Sequence, residues 1–191
     1  MDLEKICEMI RQKEKSRQDS TAPFVIAIDG RAAAGKTTLA VKLQQIFRAS
    51  VIHMDDFFLP QELRSAARFQ EPGGNVHYER FRDEVLPYIN TDKAFAYRIF
   101  DCACMDFQGE AMVEAGKWRI VEGSYSLHPK FGAYADVTVF CDVEPAEQMD
   151  RIEKRNGTRM AEMFRTRWIP LEEAYFEAYP IKENADCVMK A

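Results

Sequence analysis

The residues best suited to chemistry lie in one segment, 30–38, which reads Gly-Arg-Ala-Ala-Ala-Gly-Lys-Thr-Thr. Its glycines, lysine and first threonine fill the fixed positions of the pattern G-x-x-x-x-G-K-S/T. Glycines let the backbone turn so that its N–H groups point at phosphate oxygens, while the lysine reaches the terminal phosphates and the hydroxyl reaches Mg²⁺. The sequence therefore predicts a phosphate-binding loop formed by Gly30, Arg31, Ala32, Ala33, Ala34, Gly35, Lys36, Thr37 and Thr38.

Two carboxylates follow apolar segments that have the character of buried strands. Asp55 directly follows the segment 50–54, and Glu122 lies near the end of the segment 117–123. Because ligands of open α/β sheets gather at the carboxyl ends of strands, both acids are expected near the phosphate-binding loop. A strand-end cap is the alternative role for Asp55, since Asp favours turns.

An arginine-rich segment covers residues 151–167. Phosphoryl transfer needs cations that cover the migrating charge, and a mobile segment can bring them in late. Arg151 and Arg155 are spaced to share one helix face, and they are the predicted catalytic arginines together with Lys36. Arg159 is the next candidate. The alternative is a solvated helix whose arginines pair with Glu153 and Glu162.

Strand-like and helix-like segments alternate along the chain. The predicted strands are 23–30, 50–54, 117–123, 135–142 and 185–190, and the predicted helices are 36–47, 77–89, 145–156 and 171–180. This order predicts an α/β fold with a mainly parallel five-stranded sheet flanked by helices. Apolar residues at helical spacing predict a helix at the N-terminus, within an extension that covers residues 1–20 and ends in a polar tail through Ser20.

Bulk properties limit the class of protein. The chain has 191 residues and a net charge of −5, so one domain spanning 1–191 is expected, and no basic block indicates nucleic-acid binding. No apolar run approaches the roughly 20 residues that span a bilayer. Five cysteines, an odd number, and an N-terminus without an apolar signal core predict a reduced, cytoplasmic compartment.

Several motifs together resemble the uridine kinase and phosphoribulokinase family of small-molecule kinases. They are "IDGRAAAGKTTLA", "HMDDFF", "PGGNVHYERF", "VEGSYSLHP" and the arginine-rich segment, and the resemblance runs from about residue 22 to residue 190. It implies a P-loop NTPase fold with a small lid at about 150–168. It also implies ATP and Mg²⁺ as cofactors and a small-molecule hydroxyl acceptor, with uridine or a related nucleoside as the leading candidate. Related kinases often associate, so a homo-oligomer is left open.

The same resemblance assigns roles to individual residues. Asp55 stands where the family has the acid that acts as base toward the acceptor hydroxyl and helps to hold Mg²⁺, and Glu122 matches the family's acidic magnesium partner. Thr37, Asp55 and Glu122 are therefore the predicted metal ligands. The predicted acceptor contacts are Phe58, His77, Tyr97, Arg98 and Arg159.

A second class of function stays open at this stage. A nucleotide-binding regulator that hydrolyses ATP slowly and signals to a protein partner would need the same loop. A GTPase is disfavoured, because the sequence has no N/T-K-x-D element for guanine.

Overall fold

A parallel sheet forms the centre of the fold in the computed structural model, which describes residues 2–17 and 20–190. In chain order the strands are β1 (Phe24–Gly30), β2 (Ser50–His53), β3 (Phe95–Asp101), β4 (Asp106–Val113), β5 (Trp118–Glu122), β6 (Val137–Asp142) and β7 (Cys187–Lys190). Five of them form the main sheet in the order β2-β5-β1-β6-β7, and every pairing in it is parallel. The predicted α/β class and five-stranded parallel sheet are thus confirmed.

Helices cover both faces of this sheet. They are α1 (Leu3–Ser16), α2 (Lys36–Phe47), α3 (Ala66–Gln70), α4 (Tyr78–Glu84), α5 (Pro145–Asn156), α6 (Thr158–Met163), α7 (Ile169–Ala178) and α8 (Ile181–Asn184). Pro145 occupies the start of α5, where its missing N–H costs nothing. No helix in the described part of the chain is long and apolar enough to cross a membrane.

The central strand β1 is buried along its whole length, as expected for a parallel sheet covered on both faces. Its alternate side chains enter two separate cores. Val25 and Ala27 pack in one core together with residues of α4 and the hairpin, whereas Ile26 and Ile28 pack in the other with α1 and α2. The carboxyl ends of β1, β2 and β5 consequently lie side by side, which is where the phosphate-binding segment begins.

The strands β3 and β4 form an antiparallel hairpin that the sequence patterns do not predict. A register shift between Arg98 and Phe100 interrupts the alternation of buried and exposed residues in β3. Phe95 and Tyr97 are buried against the main core before the shift, and Phe100 is buried after it. The hairpin therefore belongs to the fold even though its pattern lacks a clean period of two.

Two helix predictions differ from the structure in their limits. The predicted helix 77–89 ends at Glu84 and continues as turns, because the Leu86 N–H donates to the Phe81 carbonyl oxygen five residues back, at 3.2 Å. At the N-terminus, α1 continues through Ser16, and Asp2 caps it by accepting a hydrogen bond from the Lys5 N–H at 3.0 Å. The end of the predicted polar tail, at residues 18 and 19, lies outside the described residues.

The arginine-rich segment folds into short helical pieces. Gly157, with φ 78°, separates α5 from α6. A π-helical turn, Phe164–Trp168, then joins α6 to α7 without a break in the helical path. Residues 158–178 therefore form one continuous helical arm beside the carboxyl edge of the sheet.

Candidate functional site

The predicted phosphate-binding segment forms a tight loop between β1 and α2. Gly30 has φ 129° and Gly35 has φ 85°, conformations that favour glycine. A Cβ atom on Gly30 would lie 2.0 Å from the Cys141 carbonyl oxygen on the neighbouring strand β6. The loop leads directly into the N-terminus of α2, whose free N–H groups and positive dipole end favour anions.

Lys36 lies inside this loop, with only 9% of its surface exposed. Its Nζ donates hydrogen bonds to the carbonyl oxygens of Gly30 at 2.7 Å and Arg31 at 2.8 Å, and to Ser124 Oγ at 3.1 Å. No carboxylate within the described residues forms an ion pair with it. The ammonium charge is therefore held in the loop and is available to an anion.

A carboxylate from a distant helix already contacts the loop. The Ala32 N–H donates to both oxygens of Glu172, at 2.8 and 3.0 Å. Ser124 Oγ donates to the same carboxylate at 2.9 Å and Gln148 Nε2 at 3.3 Å, and Glu172 is only 3% exposed. An anionic oxygen can thus accept a hydrogen bond from the backbone of this loop, as a phosphate oxygen would.

Thr37 and Glu122 are brought together by the sheet register. Glu122 ends β5, opposite His53 of β2. Thr37 Oγ donates to the Glu122 carboxylate at 3.2 Å, and His53 Nδ1 lies 2.7 Å from Glu122 Oε1. The hydrogen bond to Glu122 raises the pKa of His53. Glu122 itself is 5% exposed, so its orientation is fixed from two sides.

Asp55 lies in the turn Met54–Phe57 that follows β2. The side chain of Asp55 is exposed and lines the cavity described below. Desolvation by neighbouring protein atoms raises the pKa of Asp55, the charge of Lys36 opposes this rise, and the charge of Glu122 adds to it. A cation between Asp55 and Glu122 would relieve their mutual repulsion.

These donors fit Mg²⁺ in the form that nucleotide-binding proteins use. In the described ranges, 2–17 and 20–190, no three His, Cys, Asp or Glu side chains converge on one point. Mg²⁺ does not need such a cluster, because it is commonly bound by one or two carboxylates with water and substrate phosphates. The Thr37 hydroxyl and the carboxylates of Glu122 and Asp55 supply hard oxygen ligands of this kind.

A cavity of about 630 Å³ unites most of the predicted site. Its wall contains residues of the phosphate-binding loop, the two predicted acids, Phe58 and both predicted catalytic arginines. Further wall residues that the sequence reasoning missed are Arg64, Phe69, Asn75, Cys102, Ser124, Tyr125, Met160, Met163, Phe164, Arg167, Trp168 and Glu172.

The arginines of the helical arm and of α5 differ in their surroundings. Arg151 donates to the Ala33 carbonyl oxygen at 3.3 Å and pairs with Glu147 at 2.9 Å, so it contacts the loop directly. Arg155 lines the cavity and is exposed, and its Nε donates a hydrogen bond to Asn156 Oδ1 at 2.8 Å. Both predicted catalytic arginines therefore face the space above the loop.

Four of the five predicted acceptor contacts lie outside the cavity wall, which differs from the expectation. Phe58 lines the cavity, but His77, Tyr97, Arg98 and Arg159 do not. Tyr97 is buried and its hydroxyl donates to Asp56 at 2.9 Å, so it fixes the turn that carries Asp55. Arg98 is held on the outside by an ion pair with Glu84, and Arg159 is exposed.

Comparisons with known proteins were made on the sequence and on the fold. No protein-family model matches the chain. A tRNA dimethylallyltransferase of Synechococcus sp. (strain WH7803) is 26% identical over 110 residues, which is 58% of this chain and 34% of that enzyme. The chain thus spans about a third of the length of the curated relative that it matches.

Three solved structures of similar fold are proposed kinases. A kinase proposed for a fructose transport system of Silicibacter sp. TM1040 is 23% identical, covers 99% of both chains and has a TM-score of 0.77. A proposed uridine kinase of Bacillus stearothermophilus is 18% identical over 97% of this chain and 99% of its own, with a TM-score of 0.70. YFH7 of Saccharomyces cerevisiae, a proposed P-loop kinase with a circular permutation, is 12% identical over 100% of this chain and 99% of its own, with a TM-score of 0.73.

The fold and the loop together define the class of structure. All three identities lie below 25%, so the likeness concerns the fold rather than the substrate. The chain has the fold of the P-loop kinases, and the predicted P-loop architecture is confirmed.

Proposed function

We propose that this protein is an ATP-dependent kinase that transfers the γ-phosphate of Mg-ATP to a hydroxyl group of a small molecule. The observation that carries the proposal is the convergence of three features on one cavity: the phosphate-binding loop, the acids Asp55 and Glu122, and the cations Arg151 and Arg155. A phosphate-binding loop alone would serve a regulator equally well. An acid beside an enclosed acceptor space is what a kinase requires in addition.

The loop and the cations would bind and neutralise the triphosphate. Lys36 would exchange its carbonyl partners for β- and γ-phosphate oxygens, while Arg151 and Arg155 would cover the charge of the migrating group. Thr37, Asp55 and Glu122 would hold Mg²⁺, which supplies charge neutralisation at the β- and γ-phosphate oxygens.

Asp55 would act on the acceptor. In the proposed reaction the acceptor oxygen attacks the γ-phosphorus, the bond from that phosphorus to the bridging oxygen breaks, and ADP leaves. The proton of the attacking hydroxyl passes to Asp55. Asp55 lines the same cavity as the phosphate-binding loop, so a carboxylate is available there to accept this proton.

The acceptor, the domain organisation and the setting are finer parts of the proposal. Uridine or a related nucleoside is the reference acceptor, on the resemblance in sequence and the fold of the proposed uridine kinase of Bacillus stearothermophilus. We also propose a single domain over 1–191 in which residues 150–168 act as a lid. A cytoplasmic location and a preference for ATP belong to the same proposal, and a homo-oligomer stays open.

The test is ADP release from Mg-ATP in the presence of nucleosides, sugars and sugar phosphates. Lys36→Ala is expected to abolish turnover, whereas Lys42→Ala on the exposed face of α2 leaves it unchanged. Asp55→Asn is expected to retain nucleotide binding and to lower acceptor phosphorylation by on the order of a hundredfold or more. Asp83→Asn, an exposed position on α4, is the matched control.

The same assay separates the kinase from the regulator. A compound that strongly stimulates ADP release, with the Asp55→Asn effect, supports the kinase. Nucleotide binding without stimulation by any compound, or full turnover in Lys36→Ala, contradicts it.

A further inference from the structure

A guanidinium group in the wall of the cavity, that of Arg64, has no acidic partner. The Arg64 Nε donates to the Leu59 carbonyl oxygen at 2.7 Å, and its Nη2 lies 3.9 Å from Cys102 Sγ. Within residues 2–17 and 20–190, no carboxylate forms an ion pair with Arg64. Arginine stays protonated in proteins. The side chain is thus anchored at one nitrogen and presents an uncompensated positive charge to the cavity.

Two arginines close to Arg64 in the sequence or in space lie outside the cavity and are paired. Arg68 pairs with Glu79 at 2.7 Å, and Arg98 pairs with Glu84 at 2.5 Å. Arg64 instead shares the cavity wall with Arg155 and Arg167, which also form no ion pair within the described residues.

Arg64 is anchored beside the segment that follows Asp55. Its Nε donates to the carbonyl oxygen of Leu59, four residues after Asp55, whereas Arg151 donates to the Ala33 carbonyl oxygen in the phosphate-binding loop. Phe58 and Phe69 line the same cavity and supply apolar surface for the body of a ligand.

We propose that the acceptor is an anionic small molecule, whose carboxylate or phosphate group binds Arg64. This inference rests on the proposed kinase function and deepens it, since it names the charge class of the acceptor. An uncharged nucleoside or sugar in the cavity would leave the Arg64 charge unpaired. Carboxylate and phosphate share the chemistry that a guanidinium fork recognises.

The first test compares charged and neutral acceptors in matched pairs. ADP release is measured with ribose 5-phosphate against ribose, fructose 6-phosphate against fructose, and glycerate against glycerol, with uridine as a further neutral compound. The charged member of at least one pair is expected to have a kcat/KM at least about tenfold higher. The glycerate pair reports on carboxylates and the sugar pairs report on phosphates.

Variants connect this preference to Arg64. Arg64→Gln is expected to lower kcat/KM for the charged acceptor by roughly 10- to 100-fold while KM for ATP stays unchanged. Arg64→Lys, which keeps the charge, recovers part of the loss. Arg82→Gln, an exposed arginine on α4, is the matched control and leaves the ratio unchanged. The proposal is overturned when a neutral compound is the better acceptor, or when Arg64→Gln lowers charged and neutral turnover equally.

A binding experiment keeps the inference testable if no acceptor responds. Trp168 lines the cavity, whereas Trp118 packs against Phe24 and Phe47 elsewhere, so a Trp118→Phe background isolates the Trp168 fluorescence. With a non-hydrolysable ATP analogue bound, inorganic phosphate is expected to change this signal, and Arg64→Gln is expected to remove the change. A response with a flat acceptor panel supports the anion site and counts against the kinase. No response together with a flat panel overturns the anion site.

Discussion

The contact between Glu172 and the phosphate-binding loop leads to a prediction with two opposite effects. Replacing Glu172 by Gln removes one negative charge from the Ala32 N–H and keeps the size of the side chain. We expect the variant to unfold more easily, because it loses hydrogen bonds to a charged group. We also expect it to bind ATP more tightly, because the loop no longer holds an anion that competes with phosphate.

The expected magnitudes follow from the contacts. The carboxylate accepts from Ala32, Ser124 and Gln148, and an amide can satisfy only some of these donors. Since a hydrogen bond to a charged group contributes about 1.5–3 kcal/mol and a neutral one about 1, we expect a loss of about 1–2 kcal/mol in the free energy of unfolding. Two like charges about 4 Å apart repel by about 4 kcal/mol at an effective dielectric constant of about 20, before salt and rearrangement reduce this. A Kd for ATP lowered by about fivefold, or about 1 kcal/mol, is therefore a cautious expectation.

The assay combines calorimetric titration with a non-hydrolysable ATP analogue and unfolding in urea. Glu177→Gln is the control, because it makes the same charge change at an exposed position on the same helix, α7. A decrease of both stability and nucleotide affinity in Glu172→Gln would refute the reasoning. Glu172 would then support the loop in its binding conformation rather than compete with the nucleotide.

Three further predictions concern stability. Burial raises the pKa of Asp29 to about 6 from 3.8. Its contribution to the free energy of unfolding is therefore complete below about pH 4 and is lost, by about 3 kcal/mol, as the pH rises through 6. The difference in unfolding free energy between wild type and Asp29→Asn, measured in urea from pH 4 to pH 7, should follow this change, and a constant difference contradicts it. Gly30→Ala would place a Cβ atom 2.0 Å from the Cys141 carbonyl oxygen. We expect thermal unfolding to show that the free energy of unfolding falls by about 3 kcal/mol, or that the variant does not fold. A wild-type melting temperature would show that the strands can separate. Arg119 is fully buried and donates to three backbone carbonyls within 88–93. Arg119→Met is therefore expected to lower the free energy of unfolding in urea by about 3 kcal/mol. A loss below about 1 kcal/mol would mean that water replaces the guanidinium as hydrogen-bond donor.

The sheet could be predicted because its strands carry the signal in their own residues. The segment 23–30 is a continuous apolar run, and β1 is buried at every position. The hairpin could not be predicted in the same way. The strand β4 buries only one of its residues fully, and a register shift breaks the pattern of β3. These strands are stabilised by the core on which Phe95 and Tyr97 pack, and that contact is not encoded at short range.

The phosphate-binding loop was predictable for a related reason. All of its essential residues lie within 30–38, so a local pattern is sufficient. Glu172 is separated from Ala32 by 140 positions, and no spacing rule connects them.

Arginines show most clearly where the sequence stops being informative. Arg64, Arg68 and Arg98 are equivalent by residue type, and nothing in their spacing separates a structural ion pair from a free charge. The fold decides, because Glu79 and Glu84 reach the second and third of these arginines but not the first. Pairing is thus a long-range property even when the residues lie close in sequence.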